Sequence, residues 1–147
     1  MLGPYRVRPV TSNDYRRLAE KRLPRFLFDY IDGGANEEIS MKANAADFEK
    51  IALKQRVMRD VGDTDTATTL CGQPASMPLA LAPVGLAGMM ARRGEVQAAR
   101  AASTAGIPFT TSTVGICPLE EVQAAVEAPV WFQSVSYTHL TLPTITE

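Results

Sequence analysis

The stretch MPLALAPVGLAGMMARRGE, Met77 to Glu95, decides how this chain is read. Pro78 to Val84 is an unbroken apolar run, too short for a buried helix and bounded by Pro and Gly, which suits a strand covered on both faces. It runs into a turn built from Pro83, Gly85 and Gly88, against whose backbone a flat ligand could lie. Two further strand ends follow, FTTSTVGICP (Phe109 to Pro118) and PVWFQ (Pro129 to Gln133). Each delivers small or amide-bearing polar side chains where an apolar run stops, so the ends in series read as one rim.

Between these ends the period changes to that of a helix. Glu95 to Ala105, EVQAARAASTA, is alanine-rich and stops at Gly106, and Ile107 to Thr111 reads as the second strand. Pro118, at an N1 position, opens a further helix with Leu119, Val122 and Val126 on one face, before Pro129 to Gln133 supplies the third strand. Strands alternating with helices at this spacing imply a parallel sheet. Such crossovers serve both open doubly wound sheets and closed eightfold barrels, and the strands alone do not decide which.

Upstream, Thr11-Ser12-Asn13-Asp14 has the spacing of a capping box before Tyr15, Leu18, Ala19 and Leu23 at helical intervals. Pro24 closes that helix and opens a second, in which Phe26, Leu27, Tyr30 and Ile31 share a face until Gly33-Gly34. Asn36, with Glu37 and Glu38 in the first turn, begins a third that carries Ile39, Ala43, Ala46 and Phe48 inward. Residues 53–77 are mixed, with Thr-rich and Gly/Pro stretches of short strands and turns.

Composition sets the outer bounds. The 147 residues are 46% hydrophobic and 21% charged, as in a soluble globular chain of one ordinary domain. Formal charge is −1 and basic residues cluster only at Arg16-Arg17 and Arg92-Arg93, which argues against a nucleic-acid groove. Cys71 and Cys117 stand far apart without a CxxC or a neighbouring histidine, against both a zinc site and a disulfide framework, and in keeping with a reducing compartment. The N-terminus has no apolar h-region and no apolar run approaches the ~20 residues of a membrane span.

Taken together, FLFDYIDGGANEE (Phe26 to Glu38), LALAPVGLAGMMARRGEVQAARAA (Leu79 to Ala102), IPFTTSTVGICPLEEV (Ile107 to Val122) and PVWFQ resemble, in order and spacing, the N-terminal part of the FMN-dependent α-hydroxy-acid oxidases and dehydrogenases, most closely the bacterial quinone-linked L-lactate dehydrogenase branch. The resemblance runs from about Tyr15 to Gln133, and several segments together make it specific. It implies an α/β fold: a (β/α)₈ TIM barrel preceded by a helical region, with flavin across the C-terminal strand ends. About 250 residues are typical of such a barrel, so the chain reads as truncated after about the third barrel strand. The organisation expected is a helical and short-strand region over 1–76, the first barrel strands over 77–133, and a tail over 134–147.

Residue by residue, the resemblance places Tyr30 as the phenol that reaches the substrate carboxylate; its helical spacing alone would make it a packing residue beside Phe26 and Leu27. Pro83, Val84 and Gly85 match the first-strand turn whose backbone lies against the flavin ring, although Gly and Pro serve a plain turn equally well. Ser112 matches the second-strand hydroxyl contact to FMN, and Gln133 the third-strand amide on the flavin pyrimidine edge; without the family, the one is a local turn bond and the other a solvated strand end. Thr111 and Thr113 are expected to face the barrel wall or the helix instead. Asp32 reads as helix termination, Cys117 as a buried spectator, Trp131 as wall, and Arg92 to Glu95 as a solvated helix start. No metal ligands are expected.

The function implied is oxidation of an L-2-hydroxy acid, foremost L-lactate to pyruvate, with electrons passed through FMN to a quinone or other acceptor. The enzyme so implied is a homo-oligomer, cytoplasmic or peripheral on the cytoplasmic side of the bacterial inner membrane. Its histidine base and carboxylate-clamping arginines belong to later strands, so no catalytic residue is assigned here and the chain as given is expected to be inactive. After Gln133 the family pattern stops. VSYTHLTLPT, Val135 to Thr144, looks like a translated sequencing-adapter frame, and for that reason His139 receives no catalytic role. The alternatives are a stand-alone α/β ligand-binding or interaction module, which would leave its sheet edges exposed, and an open nucleotide-binding sheet, for which Gly85 to Gly88 (GLAG) is only a partial phosphate-loop match.

Overall fold

Thr11 caps the first helix as its spacing dictates. In a computed structural model, which describes residues 8–135, α1 spans Ser12–Arg22. The Thr11 Oγ1 accepts the Asp14 N–H at 3.2 Å, and the Asp14 carboxylate accepts the Thr11 N–H at 3.0 Å. The residues fall into two units, 8–59 and 60–135.

In the first unit, α2 (Arg25–Asp32) follows α1 with Pro24 as its N-cap residue, and α3 (Ile39–Ala46) continues into a 3₁₀ turn, Asp47–Lys50. Two sequence expectations need correction. The buried face of α2 is Leu27 and Phe28, whereas Phe26 and Tyr30 are 68% and 60% exposed. The guanidinium of Arg16 covers the Phe28 ring from 5.6 Å and forks onto Asp32, with Nε and Nη2 donating at 2.5 and 2.6 Å. The third helix starts later than Asn36, because Asn36 and Glu38 both take positive φ. None of Ile39, Ala43, Ala46 and Phe48 is buried.

The second unit begins with a hairpin, β1 (Thr68–Leu70) antiparallel to β2 (Gln73–Ala75). Its two-residue turn, Cys71-Gly72, has φ of 48° and 80°, the positive values that match the turn to the twist of the strands. The hairpin lies ahead of the boundary expected at Met77 yet belongs with the strands that follow. Ser76 joins them, its N–H donating to the Gly106 carbonyl at 2.8 Å and its hydroxyl to the Ala105 carbonyl at 2.6 Å.

The parallel sheet comes next. Leu81 bridges Phe109, then β3 (Thr110–Thr111) pairs with β4 (Trp131–Phe132) in the register Thr110 to Trp131 and Thr111 to Phe132. The long strand expected over Pro78–Val84 shrinks to that one bridge, and Leu79 and Val84 are more than half exposed. Proline explains this. Leu81 donates to the Pro108 carbonyl and accepts from the Thr110 N–H, but the next inward-turned donor of the ladder falls at Pro83, which has no N–H.

After α4 (Ala87–Met90), the helices α5 (Gly94–Ala105) and α6 (Leu119–Gln123) pack on one face of these strands. Val96, Ala99 and Ala102 of α5 meet Ile107, Phe109 and Val122 there to form the core. Gly106 ends α5 in the left-handed conformation, φ 66°, with the Ile107 N–H closing back to the Ala102 carbonyl at 3.0 Å. The described strands form an open segment and close no barrel. Only Ser134 and Val135 of the anomalous tail are among the described residues; His139 and the remainder lie outside them.

Candidate functional site

The strand ends bring several of the expected residues together. Gln133 follows β4, and its N–H donates to the Thr111 carbonyl at 3.0 Å, which sets it beside Ser112. The Ser112 hydroxyl, in a residue only 7% exposed, donates to Gln133 Oε1 at 3.4 Å and accepts the Val114 N–H at 3.3 Å. On the other side stands Gly85. A Cβ built there would lie 3.0 Å from Val114 Cγ2 and 3.9 Å from Ser112 Oγ, so glycine is what lets the first strand's turn approach the second strand's end. Gly85, Ser112 and Gln133 therefore share one rim, in strand order.

Pro83 is half-buried and Val84 is exposed. Among the described residues, no protein acceptor takes the N–H of Val84 or Gly85. The rim thus presents a hydroxyl, a primary amide and backbone donors, a mixed set suited to a flat heterocycle with polar edges. A cleft of about 320 Å³ runs along its flank between the first strand and α4–α5; it is lined by Val84 and Ser112 but by neither Gly85 nor Gln133.

Thr113 is a residue that sequence reasoning set aside. Its hydroxyl donates to the Gln133 carbonyl and accepts the Val135 N–H at 3.2 Å, holding the third strand end in place. Thr111 and Ser112 are both buried, whereas Thr113, expected with Thr111 to face the wall or the helix, is exposed. Tyr30 and Asp32 belong to the first unit: Tyr30 sits exposed on α2, and Asp32 pairs with Arg16.

The larger omission is Glu95. Read as part of a solvated helix start, it is in fact 2% exposed, while its neighbours Arg92 and Arg93 are exposed. Burial alone would raise its carboxyl pKa. Hydrogen bonds from the Ile116 N–H, its own N–H, the Cys117 thiol and the Gly88 N–H outweigh burial and hold it below its ordinary value. Cys117 moves the other way: burial, then its bond to Glu95, then the charges of Glu95 and Glu121 push the thiol up, so it stays protonated as a donor. The helix-start position does not activate it.

The family model described as FMN-dependent dehydrogenase matches residues 19–142. The chain belongs to the FMN-dependent dehydrogenase family. It is 60% identical over 122 residues to an L-lactate dehydrogenase of Stenotrophomonas maltophilia (strain K279a), an alignment covering 83% of this chain and 32% of that protein. An L-lactate dehydrogenase of Xanthobacter autotrophicus is 58% identical over 123 residues, with 84% and 32% covered. Among solved structures, the monotopic membrane protein (S)-mandelate dehydrogenase superposes with a TM-score of 0.77 at 37% identity, covering 83% of this chain and 33% of that one. A soluble mutant of the membrane-associated (S)-mandelate dehydrogenase from Pseudomonas putida gives 0.77 at 38%, with 83% and 35% covered. This family member thus spans about a third of the length of the curated relatives it matches. Among its described residues no helix is long and apolar enough to cross a membrane.

Proposed function

We propose that the chain is the N-terminal part of an FMN-dependent L-2-hydroxy-acid dehydrogenase, acting on L-lactate, with a TIM barrel that the downstream sequence completes. The convergence of Gly85, Ser112 and Gln133 at successive parallel strand ends is the observation that carries this reading. The rim fits a flavin in the kind of group it offers. An amide beside a hydroxyl matches the donor and acceptor edge of a pyrimidine ring, and a glycine turn with two backbone N–H groups lacking protein acceptors among the described residues suits close approach of a planar system.

Bound FMN would supply the two-electron acceptor for oxidation of the hydroxy acid. The chain's own contribution is orientation. The backbone of Pro83, Val84 and Gly85 would lie against the ring, Ser112 and Gln133 would fix its polar edge, and Tyr30 would donate its phenol proton in a hydrogen bond to the substrate carboxylate. The relatives named L-lactate dehydrogenase favour L-lactate as that substrate. We assign the electron acceptor to a quinone and the location to the cytoplasmic face of the inner membrane, as the lactate dehydrogenase branch implies.

By the same reading, the histidine base, the arginines and the phosphate seat come from strands beyond the third. General-base help is worth about 10²–10⁴-fold, so the 147-residue chain should be colourless and inert towards lactate. Purification and a lactate-dependent dye-reduction assay test this, and a yellow, lactate-oxidising chain would overturn it. A complete enzyme carrying this segment should load FMN and reduce a quinone with L-lactate; failure to bind flavin would sink the assignment. The tail from about Ser134 we read as adapter-derived, although the family match extends to residue 142. Resequencing across the Gln133 codon tests that, and an identical genomic continuation would refute it.

A further inference from the structure

We propose that Glu95 is a positioning residue for the cofactor rim. One of its carboxylate oxygens fastens the loop after the first strand to the loop after β3, and thereby sets the spacing of Gly85 and Ser112. The inference rests on the flavin reading of that rim.

One carboxylate oxygen bridges the two loops. Glu95 Oε1 accepts the Gly88 N–H at 3.0 Å and the Ile116 N–H at 2.9 Å. Gly88 lies three residues beyond Gly85 and Ile116 four beyond Ser112, so each bond anchors a loop that leads directly from a rim position. The two loops also meet directly, the Leu86 N–H donating to the Val114 carbonyl at 3.1 Å. Glycine makes room for the carboxylate. A Cβ on Gly88 would lie 3.0 Å from Glu95 Oε2 and 2.7 Å from Ile116 Cβ, and one on Gly115 would lie 3.8 Å from Oε1.

Among the described residues, no cationic side chain neutralises this carboxylate. Arg93 pairs with Glu121, and Arg92 is exposed. The anion is held by the Gly88 and Ile116 N–H groups in fixed geometry, which makes it a rigid hub rather than a flexible ion pair. Its Oε2 has no hydrogen-bond partner among the described residues. A buried carboxylate with one oxygen bonded to two loops and the other without a partner calls for an explanation. Holding two cofactor-contacting loops at a fixed separation is that explanation, because misplacing a bound reactant by about 1 Å can cost about 10²-fold in rate.

The test compares Glu95→Ala, Glu95→Gln and the core control Val122→Ala in the FMN-loaded complete enzyme carrying this segment. E95A should weaken FMN binding about 10- to 100-fold and alter the visible circular dichroism per bound flavin. E95Q keeps one acceptor oxygen but no charge and should fall between wild type and E95A. V122A should lower Tm while leaving flavin affinity and dichroism unchanged. E95A with wild-type affinity and dichroism overturns the proposal, as does a V122A that reproduces the E95A changes. If E95A does not fold, Glu95→Met, which keeps the side-chain length and removes both oxygens, decides, and its identity with wild type in both readouts is the refuting result. A wild-type enzyme that binds no FMN would refute the flavin reading instead. Amide exchange at Gly88 and Ile116 then tests the fastening alone: E95A should lose protection there, and unchanged protection would refute it.

Discussion

Gly94→Ala sets helix propensity against packing at the start of α5. Gly94 is the first residue of the helix, and its φ is not in the left-handed range, so an alanine meets no backbone penalty. Propensity favours the change by up to about 1 kcal/mol. The space around it does not. A Cβ at Gly94 would lie 2.5 Å from the Ala87 carbonyl oxygen and 2.8 Å from the Ala87 carbonyl carbon, against 3.4–4 Å for ordinary contact. Both partners are rigid backbone atoms, and the oxygen already accepts the Ala91 N–H at 3.0 Å. Nothing can rotate away, so α4 and α5 must separate. Overpacking of this kind costs about 1–3 kcal/mol, and backbone partners place it at the upper end. The expected net loss is about 2 kcal/mol, or a fall of about 1 M in the urea midpoint for an m-value near ~2 kcal/mol/M. Fluorescence of Trp131, the chain's single tryptophan and part of the same unit, reports it. Gly62→Ala is the control. Its nearest neighbour is the rotatable Asp60 carboxylate at 3.3 Å, and its effect should stay within about 0.5 kcal/mol. A G94A midpoint at or above wild type would show that propensity wins and that the α4–α5 contact is slack.

Acid should expose the role of Glu95 as an anion. Its folded pKa lies below the unfolded value, so its stabilisation is present above the ordinary carboxyl value of 4.5 and is lost as pH falls through the lowered folded value. The urea-midpoint difference between wild type and Glu95→Gln, followed by Trp131 fluorescence, should therefore shrink below that value; a constant difference down to pH ~3 contradicts the assignment. Gly106→Ala places a side chain at φ 66° and within 3.2 Å of Ser76 Cβ, and should cost about 1–2 kcal/mol in urea unfolding. Unchanged stability would mean that the helix end reforms elsewhere. Thr11→Ala removes the capping hydroxyl of α1 and should cost that helix about 1 kcal/mol, read as lost far-ultraviolet helical signal. An unaltered spectrum would show that packing alone holds α1.

What was legible in the sequence is local. The Thr11 to Asp14 box, the arrest of α5 at Gly106 and the alternation of apolar runs with an alanine-rich helix all depend on residues within a few positions of one another, and each appears in the structure. The inward face of α2 was not legible, because the contacts of Phe28 and Asp32 with Arg16 come from another helix. The burial of Glu95 escaped for a similar reason. Its partners are backbone N–H groups, one of them 21 positions away, and backbone donors leave no side-chain signature. The signal that was available is the pair of glycines at 88 and 115, where an added Cβ would come within 3.0 and 3.8 Å of the carboxylate oxygens.

From the order of residues alone came the strand–helix–strand alternation, the glycine turn after the first strand and the polar residues at each strand end, because propensity and periodicity are properties of neighbours. The tertiary structure decided that Gly85, Ser112 and Gln133 meet, and that a carboxylate behind them ties together the loops leading from Gly85 and Ser112. Those contacts depend on strand register, which hydrogen bonds between segments about 20 residues apart establish, as in the Gln133 N–H to the Thr111 carbonyl. Each segment contains only one half of such a bond, and only folding brings the halves together.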